Sequence, residues 1–342
     1  MDKINIIMPC FYSPEVIRPA LKALSEQTAI DRFVLTMVDD CSGYNYSDLI
    51  NEFKDIFSIK LLKTEKNMGP GMARQLGIDN CLEKYILFHD DDDILAHPKV
   101  IENFINIIDK YDDVFLIGGG IGYIHPHDPD INLYFSPEEN STIQGKILNN
   151  NLIKKYKISF KPEISRFDED SYFGEIYFLK GILDNIVLKQ YYLPKDDISY
   201  YRIYNILTHS SISHSLDEAH RKLGFITAQA GVLNENYKDL YKHPDFKKRF
   251  INSLSYIKYL LPGLVFSIQK NKKYLNKEEC KIVIKSIDTI IEYYNMFSAE
   301  VDLCMEKEKN NYFYFAKEVF KLEEEYLNNY SALNSLLNDI VQ

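Results

Sequence analysis

The sequence predicts an α/β protein: a mostly parallel sheet flanked by helices, followed by a C-terminal all-helical module. Three observations predict it. The first 120 or so residues alternate short apolar runs with amphipathic stretches, the pattern of successive βαβ units. Three of those apolar runs lead straight into polar loops, 9–13, 39–42 and 89–93. Beyond Lys238 the chain turns Lys- and Glu-rich, with apolar residues at helical spacing.

Strands are expected at 4–8, 33–38, 59–63, 85–88 and 114–118, each a short run rich in Ile, Leu, Val and Phe. Between them, 20–27, 46–53, 70–80 and 99–110 carry apolar residues three and four apart, so each can lay one face on the sheet. In such sheets ligands sit beyond the carboxyl ends of the strands, which is where the three polar loops fall. Residues 121–235 are less regular, with His125-Pro126-His127 in a loop; no Cys or third His stands at ligand spacing, so these read as surface residues. Asn276 and Glu279 form a capping-box pattern ahead of an apolar stripe at Ile284, Ile287, Ile291 and Tyr294, and a last helix or helix pair is expected over 312–341.

Composition narrows the function classes. At 342 residues the chain is long enough for a full core and a second module. A formal charge of −10 argues against a generally basic nucleic-acid surface, and the cluster Lys247, Lys248, Arg249 reads as a solvated helix face. Five cysteines without C-x-x-C spacing suggest neither a zinc ribbon nor a disulfide framework, and fit a reducing cytoplasm. The N-terminus enters a strand at once, unlike a signal peptide. The apolar run 256–268 is broken by Lys258 and Pro262-Gly263 and falls short of the roughly 20 residues a span requires, so membrane contact would be peripheral.

The run Phe88-His-Asp-Asp-Asp-Asp93 is the most informative stretch. Four carboxylates at the end of an apolar strand raise one another's pKa, and a divalent cation reverses that repulsion. Hard ions such as Mg²⁺ and Mn²⁺ take carboxylate oxygens and reach phosphates through the same ion. The alternative is an acidic helix start.

Several separated motifs resemble the family 2 glycosyltransferases of the GT-A (Rossmann-like) fold over roughly residues 3–215. Ile-Ile-Met-Pro-Cys-Phe-Tyr (6–12) resembles that family's opening strand and loop, and Leu-Ser-Glu-Gln-Thr (24–28) the end of its first helix. Val-Asp-Asp-Cys-Ser (38–42) is similar to its V-D-D-G-S turn. The stretch from Asn67 to Gly77 resembles N-x-G-x-x-x-A-R-N-x-G, and 88–93 resembles F-L-D-S-D-D. Gln144-Gly-Lys-Ile-Leu148, the Glu169-Asp170 segment, Tyr200-Tyr-Arg202 and Ser211-Ile-Ser-His214 resemble its later H-G-K-L-Y, E-D-x-x-F, Y-x-R and S-I-S motifs.

The resemblance implies a metal-dependent, inverting transfer of a sugar from a UDP-sugar to an acceptor hydroxyl, most often of a glycan, with Mn²⁺ or Mg²⁺ as cofactor. It implies Asp92 as metal ligand, Asp90 at the nucleotide and metal, and His214 completing the metal shell; a lone His is otherwise structural. Asp93 would support the metal site or cap a helix. Pro9, Phe11, Asp40 and Arg74 fall on the nucleotide side, Asp40 accepting from a uracil N3–H and Arg74 stacking on the base or pairing with phosphate. For Asp40 the alternative is a turn residue, and for Arg74 a helix-surface ion pair. Gly69 and Gly71 would let backbone approach the sugar nucleotide. Asp170 is implied as the base that removes the acceptor proton, with Asp168 and Glu169 crowding it; the alternative is an acidic helix start. Glu169, Arg202 and Lys146 would contact acceptor or diphosphate. Asp91, where the pattern has Ser, and Gln144, where it has His, depart from it.

The domains expected are a GT-A domain over 1–235, with a nucleotide-binding half 1–120 and an acceptor half 121–235, and a helical module over 236–342 whose stripe suggests a homo-oligomer contact. Other readings are a transferase acting on a modified nucleobase in DNA, a nucleotidyltransferase, and a non-catalytic scaffold. The nucleotidyltransferase lacks support because no Gly-rich, Lys/Arg-bearing loop follows the first strand.

Overall fold

The computed structural model of the chain describes residues 3–124, 133–138, 142–164, 168–183, 186, 189–195, 197–203, 218–239, 244–307 and 339. The chain divides into two compact units, Met1–Ser211 and Ile212–Gln342.

The first unit is built on a seven-stranded sheet. Its strands are β1 (Ile4–Cys10), β2 (Phe33–Asp39), β3 (Ser58–Lys63), β4 (Tyr85–Phe88), β6 (Leu116–Gly118), β9 (Lys146–Asn149) and β10 (Gln190–Tyr192). Their order is β10-β6-β9-β4-β1-β2-β3, parallel except for β9, which runs antiparallel to both β4 and β6. All seven residues of β1 are buried, which is why it reads as an unbroken apolar run: a strand covered on both faces has no reason to alternate. From β1 the chain adds β2 and β3 on one side and then returns to place β4 on the other. The switch point, where a crevice opens, therefore lies between the carboxyl ends of β1 and β4.

Helices α1 (Pro14–Ser25), α2 (Ser47–Phe53), α3 (Pro70–Asp79) and α4 (Val100–Lys110) alternate with these strands. Helix α1 starts six residues earlier than the sequence pattern suggested. Pro14 opens it, where a missing N–H costs nothing, while Pro19 inside the helix masked the pattern. Ile17, Ala20, Leu21 and Leu24 of α1 join Val100, Ile101, Phe104 and Ile105 of α4 in the core beside β1 and β2, each large side chain contributing about 1.5–3 kcal/mol by burial. Helix α3 lies on β1 through Gly77, where a Cβ would come within 2.4 Å of Ile7 Cγ2.

At Gly118-Gly119-Gly120 the chain leaves the large sheet for a four-stranded one, ordered β5-β11-β7-β8, made of β5 (Ile94–Leu95), β7 (Gly120–Ile124), β8 (Leu133–Phe135) and β11 (Ile198–Ile203). Helices α5 (Asn150–Tyr156) and α6 (Glu169–Leu183) complete the unit.

The second unit contains α7 (Glu218–Asp239), α8 (Pro244–Asn271), α9 (Lys277–Met296) and α10 (Ser298–Lys307). The boundary expected at 235 is corrected to 211: α7 runs straight through 235, and its Ile226, Ala230 and Leu233 pack with Leu254, Ile257, Leu261, Val283 and Ile287 in one core. Pro262-Gly263 lies within α8, so the apolar run 256–268 is core helix. The Asn276–Glu279 capping box is present, each side chain accepting from the other's backbone N–H. The stripe is turned slightly from the one expected, with Val283, Ile287, Ile290 and Ile291 inward. The helix expected over 312–341 lies outside the described residues apart from position 339. Among the described residues no helix is long and apolar enough to cross a membrane.

Candidate active site

The site forms at the carboxyl ends of β1, β2 and β4. After β2, Asp40 is buried and its carboxylate gathers the loop that follows β3. Oδ1 accepts from Thr64 Oγ1 and from the N–H of Met68, both at 2.9 Å, and Oδ2 accepts from the N–H of Gly69 at 2.7 Å. Gly69 sits at φ +88°, a conformation that favours glycine. Asp40 is therefore a loop brace as well as a candidate base contact. Its neighbour Asp39 accepts from Ser42 N–H and pairs with Lys63. Phe11, 43% exposed at the end of β1, and the exposed Tyr44 beyond β2 are aromatic faces at the mouth, whereas Pro9 is buried within β1.

The acidic run divides its labour. Asp91 turns inward across the switch point, Oδ2 accepting from the N–H groups of Phe11 at 2.9 Å and Tyr12 at 3.3 Å. The extra carboxylate that departs from the family pattern is thus a clamp on the loop after β1. Burial first, and then the charge of Asp92, push its pKa up to about 8. Asp92 is partly exposed and Asp93 buried. Asp90 is held at backbone and side chain. Its N–H donates to Tyr200 Oη at 2.9 Å, and its carbonyl accepts from His89 Nδ1 at 2.7 Å. A carbonyl can only accept, so His89 carries its proton on Nδ1, and burial, pushing its pKa down to about 4, keeps the ring neutral.

Arg74 of α3 joins this run to α6. Nη2 lies 2.5 Å from Asp90 Oδ1, and Nη1 donates to Glu169 Oε1 at 2.7 Å. Gln144 Nε2 donates to the other oxygen of Asp90 at 3.1 Å. Arg74 is not a surface pair: it is buried, with its two Nη atoms on two carboxylates. Glu169, expected at the acceptor or diphosphate, is instead buried against Arg74. Burial and the charge of Asp170 push Glu169 up to about 7, against the downward pull of Arg74. The reason for this inward turn lies beneath it. Phe173 of α6 stacks on Phe160 at 4.4 Å and meets Phe88 of β4 edge-on at 5.6 Å, fixing the first turns of α6 on the sheet.

Asp170, the next residue along, remains partly exposed in the first turn of α6 and accepts from Ser171 N–H at 2.8 Å. Lys146 of β9 lies in the field of Asp170 and Glu175, and its Nζ donates to Thr142 O at 2.5 Å. Burial outweighs those charges and brings its pKa down to about 8. Arg202 lies on β11 opposite Tyr123, its side chain outside the described parts, and His214 is outside the described residues altogether. The roles of His89, Tyr200 and Thr64 were not legible in the sequence, although His89 and Tyr200 lie within motifs that resemble the family's. Each works through a partner at least 24 residues away or through a backbone atom, which a motif does not record.

Among the described residues no three His, Cys, Asp or Glu side chains group into an all-protein metal cage. The donor chemistry fits a different kind of site, in which a hard ion takes one or two carboxylates and fills its shell from phosphate and water. Asp92 and Asp90 have the oxygen donors that such a site would use.

A doubly wound sheet with aspartates gathered at its switch point and a carboxylate on a separate helix is an arrangement that glycosyl transfer can use. Residues 5–166 match the glycosyl transferase family 2, and this part of the chain is a family 2 glycosyltransferase domain of the GT-A fold. The chain is 22% identical over 246 residues to the poly(ribitol-phosphate) beta-N-acetylglucosaminyltransferase TarS of Staphylococcus aureus, a match that covers 65% of this chain and 42% of TarS. It is 26% identical over 277 residues to the UDP-Glc:alpha-D-GlcNAc-diphosphoundecaprenol beta-1,3-glucosyltransferase WfgD of Escherichia coli, covering 78% of this chain and 94% of WfgD. The chain thus spans less than half the length of TarS and nearly all of WfgD. The crystal structure of S. aureus TarS 1–349 in complex with UDP-GlcNAc shares the fold, with a TM-score of 0.62 at 16% identity, over 85% of this chain and 89% of that one.

Proposed function

We propose that the chain transfers a sugar from a UDP-sugar to a hydroxyl of an acceptor glycan, with inversion and with a divalent ion. The observation that carries this reading is the bridge Asp90–Arg74–Glu169, which holds the acidic loop and the helix bearing Asp170 in one arrangement. Support for UDP comes from relatives whose names carry UDP-glucose or UDP-GlcNAc.

Each residue has a task in this reading. Phe11 and Tyr44 offer ring faces to the base, and Asp40 offers a carboxylate while bracing the 64–69 loop. Asp92 and Asp90 would hold Mn²⁺ or Mg²⁺. Bound there, the ion would neutralise the charge that develops on the departing diphosphate. Asp170 takes the proton from the acceptor hydroxyl as that oxygen attacks the anomeric carbon from the face opposite the diphosphate. A single base acting from one face inverts the anomeric centre. Arg74, by holding Glu169, aims the turn that carries Asp170.

The test is UDP release from UDP-glucose and UDP-GlcNAc with Mn²⁺, with Mg²⁺ and with EDTA, in the native chain and in Asp92→Ala. The expected result is metal-dependent release that the substitution abolishes. Release indifferent to both would overturn the metal role, and calorimetry showing no affinity for UDP would overturn the donor.

A further inference from the structure

One row of residues crosses three strands on the acceptor side. Tyr192 of β10 pairs with Gly118 of β6, and Gly118 pairs with Lys146 of β9. Residues directly opposite one another in neighbouring strands present the same face, and on this face Lys146 lies in the field of Asp170. Gly118 leaves room for an aromatic ring: a Cβ there would come within 2.7 Å of Tyr192 Cδ1. Two residues on, a Cβ on Gly120 would come within 2.9 Å of the Tyr134 ring. Tyr192 and Tyr134 thus stand over the same glycine segment, 41% and 37% exposed. Both rings are tethered at the hydroxyl, Tyr192 donating to Gln190 Oε1 at 3.1 Å and Tyr134 donating to Lys195 O. Neither belongs to the hydrophobic core.

Tethered, half-exposed rings, one of them in a row with Lys146, itself in the field of Asp170, are preorganised to stack, because little side-chain freedom remains to be lost. The charges beside them select what stacks. Burial first, and then the charge of Glu138, raise the Tyr192 hydroxyl pKa, and Glu138 pairs with Lys195. A phosphate would meet that carboxylate and a lysine already engaged. A neutral pyranose would lay its C–H face on the electron-rich ring and turn its hydroxyls to Glu138 and Lys195.

We propose that Tyr192, with Tyr134 beside it, is the platform on which a pyranose of the acceptor glycan stacks, its free hydroxyl directed along the row toward Asp170. This rests on the glycosyltransferase reading and adds the acceptor class to it: a ring sugar at the reacting end, not an acyclic polyol phosphate.

The test is saturation-transfer NMR on the full chain with UDP present, using maltotriose, chitotriose and lactose as probes and ribitol 5-phosphate and glycerol 3-phosphate as comparators. At least one pyranose probe is expected to bind. Tyr192→Ala is expected to weaken it about tenfold or more while Tyr192→Phe, which keeps the ring, stays within about twofold. Thermal unfolding and UDP affinity are expected to be the same in all three proteins. No pyranose binding, unchanged binding in Tyr192→Ala, or binding of the polyol phosphates alone would each overturn the platform. Loss of UDP affinity in the native chain would instead overturn the donor reading, leaving the pyranose result to be judged on its own.

Discussion

Arg74 reaches Glu169 across 95 positions of sequence, Nη1 to Oε1 at 2.7 Å, while its Nη2 holds Asp90. One buried cation thereby serves two carboxylates from opposite halves of the domain. Removing one partner of a buried charge cluster leaves the others unpaired, at about 3–5 kcal/mol. Arg74→Met, close in volume, is expected to lose that much in urea unfolding, and transfer with it. A variant as stable as the native chain would sink the bridge.

Glu169 makes the pH dependence specific. Its folded pKa of about 7 stands above the unfolded 4.5, so the folded state retains the proton longer and this group's contribution to stability falls as pH rises through that window. Glu169→Gln removes the loss. The melting-temperature difference between variant and native chain is expected to move in the variant's favour from pH 5 to pH 8. Movement the other way would mean that the attraction to Arg74 exceeds the cost of burial.

Asp170 is expected to matter for the reaction and not for the donor. Asp170→Asn should cut transfer by about 100- to 10,000-fold, the usual range for a general base, and leave UDP affinity unchanged by calorimetry. Equal transfer rates would remove it as the base.

Asp91 gives a test at the opposite wall. With Asp91→Ala the N–H groups of Phe11 and Tyr12 lose their acceptor, at about 1–3 kcal/mol, and the loop carrying Phe11 loosens. Lower stability together with weaker UDP binding is the expected pair of results. Full UDP affinity would confine Asp91 to folding.

Gly77→Ala separates packing from chemistry within one motif. The new methyl would overlap Ile7, at about 1–3 kcal/mol, without touching any site residue. Denaturant midpoints should fall while UDP affinity holds.

How far the sequence reached differs by element. Strands β1, β2 and β4 were readable because burial on both faces leaves unbroken apolar runs, and α3 because Pro70 opens a clean helical pattern. Strand β9, only Lys146–Asn149, was not readable as a strand, since four residues carry no period and its place is set by β4 and β6 on either side. Residue 235 looked like a boundary because composition shifts there, yet composition does not record that α7 packs forward onto α8 and α9.

By itself the sequence determined the α/β class, the placing of Asp40, Asp90 and Asp92 in loops after strands, and the family, because these follow from local periodicity and from residues close together in the chain. Tertiary structure decided which way each charge faces. Asp91 turned to the Phe11 loop, Glu169 to Arg74, and Tyr192 over Gly118 through contacts set by strand order and by burial. A carboxylate's partner is chosen by what lies within about 3 Å after folding, and position along the chain does not encode that distance.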